Sequence, residues 1–201
     1  LREDRRHIQD RDVYLLRKQL AVRLNLEMAN SPEILRIALD VKPDEVCLVP
    51  ERRQELTTEG GLDVAGQKRT LARTVSALRD AGIAVSLFIE PERRQIEVAA
   101  ELGAPYIELH TGCFCNATGR KSRAELDRLI RGAVCGHELG IRVNAGHGIS
   151  LDNIGRILEI PHLDTLNIGH SIVARAMFVG LRRAVKEMRE AIMPYAGGRH
   201  E

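Results

Sequence analysis

Six short apolar runs, RLNLEMA, EVCLVPE, AVSLFIE, YIELHTG, RVNAGHG and TLNIGHS, each end in a polar and often ionisable side chain. The residues delivered this way are Glu27, Glu51, Glu90, Glu108, His110, His147 and His170. Carboxylates and imidazoles exchange protons near neutrality, so the set points to general acid–base chemistry. Parallel strands that feed such groups to one rim are the arrangement in which an α/β barrel builds its active site.

Within NLEM, strand alternation puts Asn25 and Glu27 on one face and Leu24, Leu26 and Met28 on the other. With the leucines under helices, Glu27 points to the barrel interior, where a carboxylate either pairs with a cation or acquires the raised pKa of a general base. A buried structural ion pair is the competing reading. In YIELH, Glu108 and His110 share a face, a pair able to pass or orient a proton. The segments VNAGHGIS and LNIGHSIV place glycines and histidines between strand and helix, where backbone N–H groups favour anions such as phosphate. Gly146 and Gly148 could equally shape a turn. Neither segment matches a nucleotide P-loop.

The stretch ERRQELTTEGGLDVAG reads as a loop able to close over substrate, with hydroxyls on Thr57 and Thr58 and hinge freedom at Gly60 and Gly61. A plain solvated connection is the alternative. Arg2, Arg5, Arg6 and His7 could grip a phosphate or carboxylate, although Glu3, Asp4 and Asp10 make a charge-paired loop equally reasonable. The lysines, Lys18, Lys42, Lys68, Lys121 and Lys186, all fall in helices or at the opposite strand ends, which disfavours a Schiff-base aldolase or covalently held pyridoxal phosphate. No G-x-S-x-G elbow occurs. His110, Cys113 and Cys115 form H-x2-C-x-C, but no fourth ligand is evident and a strand-end loop is the better reading.

These groups need elements to position them, and the pattern supplies helix 10–22, strand 23–29, helix 31–40, strand 45–51, loop 52–63, helix 64–81 and strand 84–90. Helix 91–102, strand 106–112, helix 122–139, strand 142–148, helix 151–159, strand 165–169 and helix 171–190 follow. Ser31-Pro32-Glu33 is a helix start. Ser122 opens another helix, with Leu126, Leu129, Ile130, Ala133 and Val134 as its sheet-facing stripe. Gly82, Gly103 and Gly140 end helices in the left-handed conformation. Strict alternation of strand and helix implies a parallel sheet. The tail PYAGGRHE reads as frayed.

At 201 residues with 44% hydrophobic content the chain can bury a full core, yet a complete (β/α)8 barrel usually needs about 250 residues. The expectation is a single barrel domain over residues 1–201 that lacks the first strand, the first helix and most of the second strand, about six of eight strands being present. Thirty basic residues against 28 acidic ones, interspersed, argue against nucleic acid, and 3% aromatics leave few stacking platforms. No apolar stretch approaches a membrane span. A soluble cytoplasmic protein is expected. Four cysteines, Cys47, Cys113, Cys115 and Cys135, are too few and irregular for a disulfide framework.

Taken together, LREDRRHI, NLEMA, LVPE, TTEGGLDVAG, IELHTG, VNAGHG and LNIGH closely resemble the pyridoxine 5'-phosphate synthase family in order and spacing, from Leu1 to the last helix. The resemblance implies a (β/α)8 TIM barrel that assembles as a homo-oligomer and works without metal or organic cofactor. It implies condensation of 1-deoxy-D-xylulose 5-phosphate with 3-amino-2-oxopropyl phosphate, with ring closure releasing phosphate and water. Carried over by residue, Glu27 resembles the family's general base, His147 its general acid and Glu108 the group that stabilises charge during the reaction. Arg2 and His7 match contacts to the deoxyxylulose phosphate, and Thr57 lies in the closing loop. Gly148, Gly169 and His170 match the site for the aminoketone phosphate. The family's first strand, with its Asn, Asp-His and Arg contacts, and a histidine expected just before Leu1 have no counterpart, so the chain alone is expected to be inactive or nearly so, and prone to aggregate through open strand edges. Two other readings compete: a phosphosugar isomerase using Glu27 and His147, and a non-catalytic phosphate-binding or assembly subunit.

Overall fold

The computed structural model describes residues 1–201 apart from 52–54, 56, 58–59, 196 and 198–201. Thr58 and most of the C-terminal tail therefore lie outside the described residues. In chain order the elements are α1 (Asp10–Gln19), β1 (Asn25–Ala29), α2 (Pro32–Val41), β2 (Glu45–Val49), α3 (Lys68–Asp80), β3 (Ala84–Ile89), α4 (Arg93–Glu101) and β4 (Tyr106–His110). They continue with α5 (Gly112–Asn116), α6 (Gly119–Glu138), β5 (Arg142–Gly146), α7 (Ile154–Ile157), β6 (Leu163–Asn167), α8 (His170–Val179) and α9 (Leu181–Ile192). The chain forms two compact units, Leu1–Glu90 with Arg94–Glu108, and Pro91–Arg93 with Leu109–Glu201.

In the first unit, β1, β2, β3 and the opening of β4 follow one another in chain order. The pairing of β1 with β2 and of β2 with β3 is parallel, and its register sets Glu27 beside Cys47 and Cys47 beside Ser86. One face of β1 is buried through Leu24, Leu26 and Met28, while Asn25 and Glu27 on the other stay exposed, as alternation requires. β2 is buried throughout, the signature of a strand covered on both faces. Ser31 caps α2 by accepting a bond from the Ile34 N–H at 3.4 Å, and Pro32 opens the helix. Gly82 ends α3 with φ 78°.

In the second unit, the end of β4, then β5, then β6 lie in order, and β5 pairs with β6 in parallel. Here the helix boundaries differ from those that periodicity predicts. α6 starts at Gly119, so Ser122 lies inside it, where its hydroxyl accepts from Arg156 at 2.9 Å. The buried stripe of α6 runs through Leu126, Leu129, Gly132, Ala133 and Gly136, rotated slightly from the expected one, with Ile130 and Val134 half-buried. The helix expected over 151–159 shrinks to one turn, and β6 begins at Leu163, two residues early. The helix expected over 171–190 is two helices, because Gly180 takes φ 82° and breaks the ladder between α8 and α9. No helix among the described residues is long and apolar enough to cross a membrane.

Candidate active site

In the first unit Glu27, Cys47 and Glu108 stand at the middle of β1, β2 and β4. The Arg2 guanidinium donates to Glu27 Oε1 at 3.0 Å and to the Pro50 carbonyl at 2.9 Å. Leu1 runs beside β1, its amino group donating to the Glu27 carbonyl while its own carbonyl accepts from the Ala29 N–H. The Glu27 side chain nevertheless remains 63% exposed, so it is an anchored but accessible carboxylate. Neighbouring it in register is Cys47, whose thiol lies 3.4 Å from Glu108 Oε2. Burial, reinforced by the charges of Glu108 and Glu27, pushes the Cys47 thiol well above the usual range, so it stays protonated and can serve as a hydrogen-bond donor. Glu27, Cys47 and Glu108 therefore share one face of the sheet, two carboxylates with a protonated thiol between them.

The other ionisable groups expected at this rim are tied into loops. The Glu90 carboxylate accepts from the Gly61 N–H at 3.2 Å and is 1% exposed. Gly61 itself presses on β3: a Cβ there would stand 2.5 Å from the Glu90 nitrogen and 2.8 Å from the Ile89 carbonyl carbon. The Leu62 N–H then donates to the Phe88 carbonyl at 2.8 Å. Gly61 is thus an anchor and not the hinge that sequence suggests. Of these two glycines it is Gly60, at φ 121°, that has the backbone conformation favouring glycine. Glu51 pairs with Arg6, and its N–H donates to Glu55 at 2.8 Å. Thr57, in the same loop, donates its N–H to the Gly61 carbonyl at 2.8 Å, and its buried hydroxyl has no hydrogen-bond partner among the described residues.

The basic cluster at 2–7 is charge-paired. Arg5, at φ 56°, clasps Asp10 at 2.7 Å and Glu33 at 2.5 Å, which raises its own pKa and lowers that of Asp10. Arg6 pairs with Asp4 at 3.0 Å as well as Glu51. His7 is exposed to solvent.

In the second unit, β4 ends in His110 and β5 ends at Gly146, and the next residue, His147, has φ 82°. A positive φ on a histidine is costly and is found where surrounding contacts enforce it, often at functional sites. The His147 and His110 rings meet edge to face with centroids 5.0 Å apart. Gly112 makes that possible, since a Cβ there would stand 2.5 Å from His110 Nε2 and 3.0 Å from His147 Cδ2. His147 and Gly148 are exposed, and Gly148 also has positive φ, 79°. Gly169 precedes α8, a ten-residue helix whose first residue is His170, and both are exposed. Among the described residues no group of His, Cys, Asp and Glu is arranged to hold a metal, so Cys113 and Cys115 belong to α5 with no metal-ligand geometry.

Three features escape sequence reasoning. Thr111 is fully buried and its hydroxyl contacts the carbonyls of Gly146 at 2.7 Å and His147 at 2.5 Å. Asn144 is 1% exposed, and its Oδ1 has no partner among the described residues. A register shift between Val143 and Asn144 lies beside it, the kind of bulge that re-aims side chains near active sites. An asparagine inside the apolar run RVNAG was the available signal. A separate cavity of about 460 Å³, lined by Ser150, Ser171, Arg175 and Phe178 among others, includes none of the residues picked from sequence.

Comparison with known proteins places these features in a family. Residues 1–194 match the model described as "Pyridoxal phosphate biosynthesis protein PdxJ". A pyridoxine 5'-phosphate synthase from Akkermansia muciniphila is 56% identical over 193 residues, covering 96% of this chain and 78% of the relative. That of Opitutus terrae is 53% identical over 196 residues, covering 96% and 79%. Among solved structures, the tryptophan synthase A-subunit of Pyrococcus furiosus matches with TM-score 0.58 at 14% identity, covering 91% of this chain and 70% of that one. The Amycolatopsis orientalis BexX/CysO complex matches with TM-score 0.56 at 17% identity, covering 100% and 80%. These likenesses show the fold, that of the (β/α)8 barrels. With Glu27 on the exposed face of its first strand, its histidine in a left-handed turn and its match from the first residue to the last helix, the chain belongs to the pyridoxal phosphate biosynthesis protein PdxJ family.

Proposed function

We propose that this chain carries the chemistry of a pyridoxine 5'-phosphate synthase, a transferase-type enzyme of vitamin B6 biosynthesis, joining 1-deoxy-D-xylulose 5-phosphate to 3-amino-2-oxopropyl phosphate by acid–base catalysis. Family membership over residues 1–194 is the observation that carries this reading. The substrate amine attacks the ketone, so the protein's task is to move protons and to hold two phosphates. Glu27 is the general base: it is exposed for contact with substrate while Arg2 fixes one of its oxygens. His147 is the general acid, presented to solvent on a turn that holds its backbone in one conformation. Glu108, set against the Cys47 thiol, stabilises positive charge that develops on the condensing amine.

Phosphate recognition divides between two ends of the chain. Arg2, His7 and Thr57 serve the deoxyxylulose phosphate, and the unpartnered Thr57 hydroxyl supports that role because a buried donor without a partner is poised for a ligand. Gly148, Gly169 and His170 serve the aminoketone phosphate, with the N-terminus of α8 adding its dipole. The protein works in the cytoplasm as a homo-oligomer, a reading supported by the apolar residues left exposed on α8 and α9. Met177 is 83% and Phe178 87% exposed.

Supplying each phosphorylated substrate alone and then both together, with inorganic phosphate as the readout, tests the reaction class. Phosphate is released only when both are present. Conversion of either substrate on its own marks an isomerase instead.

A further inference from the structure

We infer that Thr111 is the positioning residue for His147, acting through the backbone of the turn and not by touching substrate. The inference rests on the reading of His147 as general acid. Thr111 sits between β4 and α5 and is wholly buried. Its backbone N–H donates to the Gly146 carbonyl at 2.9 Å, and its carbonyl accepts from the Cys115 N–H at 2.9 Å, so α5 holds it in place. Its hydroxyl stands 2.7 Å from the Gly146 carbonyl oxygen and 2.5 Å from that of His147. One hydroxyl proton is thus shared between two successive carbonyls.

Successive carbonyls in an extended strand point in opposite directions. For both to reach one hydroxyl the chain must turn between them, and His147 with φ 82° is where it turns. That conformation is disfavoured for a histidine, because its Cβ crowds the following carbonyl. The hydroxyl rewards the turned state alone, since an extended residue 147 would carry its carbonyl away. The imidazole is steadied on its other side by the edge of His110 at 5.0 Å, in space that Gly112 leaves open. Thr111 therefore sets where the His147 ring projects. Valine has threonine's shape without the hydroxyl, which makes Thr111→Val the selective probe.

The test uses isotope-labelled 201-residue protein and reads the ¹³Cα and ¹³Cβ chemical shifts of His147, which report its φ. Thr111→Val moves these shifts toward extended values, and Thr111→Ser, which keeps the hydroxyl, retains the parent's. Unchanged shifts in Thr111→Val overturn the inference. Should Thr111→Val fail to fold, the same substitution in a His147→Gly background decides: glycine accepts positive φ without strain, so the protein folds there. Failure in both backgrounds assigns Thr111 a general packing role and overturns the inference. In turnover by protein carrying the N-terminal segment of a relative, Thr111→Val lowers kcat by about 10- to 100-fold with KM nearly unchanged, the effect of a misplaced group. Full kcat in Thr111→Val beside an inactive His147→Asn sinks the positioning role alone, whereas full kcat in His147→Asn sinks the general-acid reading on which it stands.

Discussion

At the residue scale, strand alternation identified the open face of β1, and Glu27 stands on it. What alternation could not show is which carboxylates at the strand ends remain available. Glu51 and Glu90 follow β2 and β3 just as Glu27 sits within β1, yet Glu51 holds Arg6 and Glu90 holds the Gly61 N–H. Those partners lie well away in sequence, so only the folded chain reveals them. The Cys47 thiol was likewise legible as a buried strand residue but not as a neighbour of Glu108, since that contact joins strands 61 residues apart. Its depressed acidity has a measurable consequence, because the thiolate is the reactive form. Iodoacetamide at mildly alkaline pH leaves Cys47 unmodified in the native protein and alkylates it once the chain is unfolded, as read by peptide mass spectrometry. Rapid native labelling of Cys47 would contradict the burial and the charge environment described.

At the element scale, helix starts and stops followed local chemistry where a cap marked them, as at Ser31 and Gly82, and strayed where no cap did. α5 is too short to show a period, and α8 and α9 read as one helix because Gly180 inside an apolar run gives no warning of its positive φ. Gly61 offers a direct test of how the long loop is anchored. A methyl at this position meets the backbone of β3, which cannot give way as a flexible side chain would. Gly61→Ala costs about 1–3 kcal/mol, the scale of overpacking against fixed atoms, measurable by urea unfolding. If stability is unchanged, the loop is not seated on β3. The contacts that join α1, α2 and β1 are acid-sensitive. Asp10, lowered by its bond to Arg5, and Asp44, lowered by the Leu24 N–H, both bind protons less readily folded than unfolded. Their stabilising effect is complete above the ordinary carboxylate value of 3.8 and is lost as pH falls through the lower folded values. Stability measured against pH therefore declines below about pH 4, and Asp10→Asn with Asp44→Asn flattens that decline.

At the scale of the whole molecule, alternation of strand and helix was sufficient for the parallel α/β class, since a crossover helix can return a chain only to the same edge of a sheet. Ordered motifs from LREDRRHI to LNIGH made the family legible, because no single element carries that much information. The exposed apolar patch was not legible: the apolar residues of α8 and α9 look like ordinary core until the fold leaves Met177, Phe178 and Leu181 exposed. Sedimentation of the purified chain gives a mass above the 22.4 kDa of one copy, and Phe178→Asp with Met177→Glu shifts it toward that value. A monomer at every concentration would remove the support these side chains lend to a homo-oligomer.

In the proposed reaction Glu27 and His147 act as base and acid of one condensation. The most direct measurement is phosphate release with both substrates by the parent, Glu27→Gln and His147→Asn, each prepared with the N-terminal segment of a relative added. Each single substitution lowers kcat by about 10²- to 10⁴-fold while the fold is retained. Parental turnover by Glu27→Gln or by His147→Asn would contradict these roles.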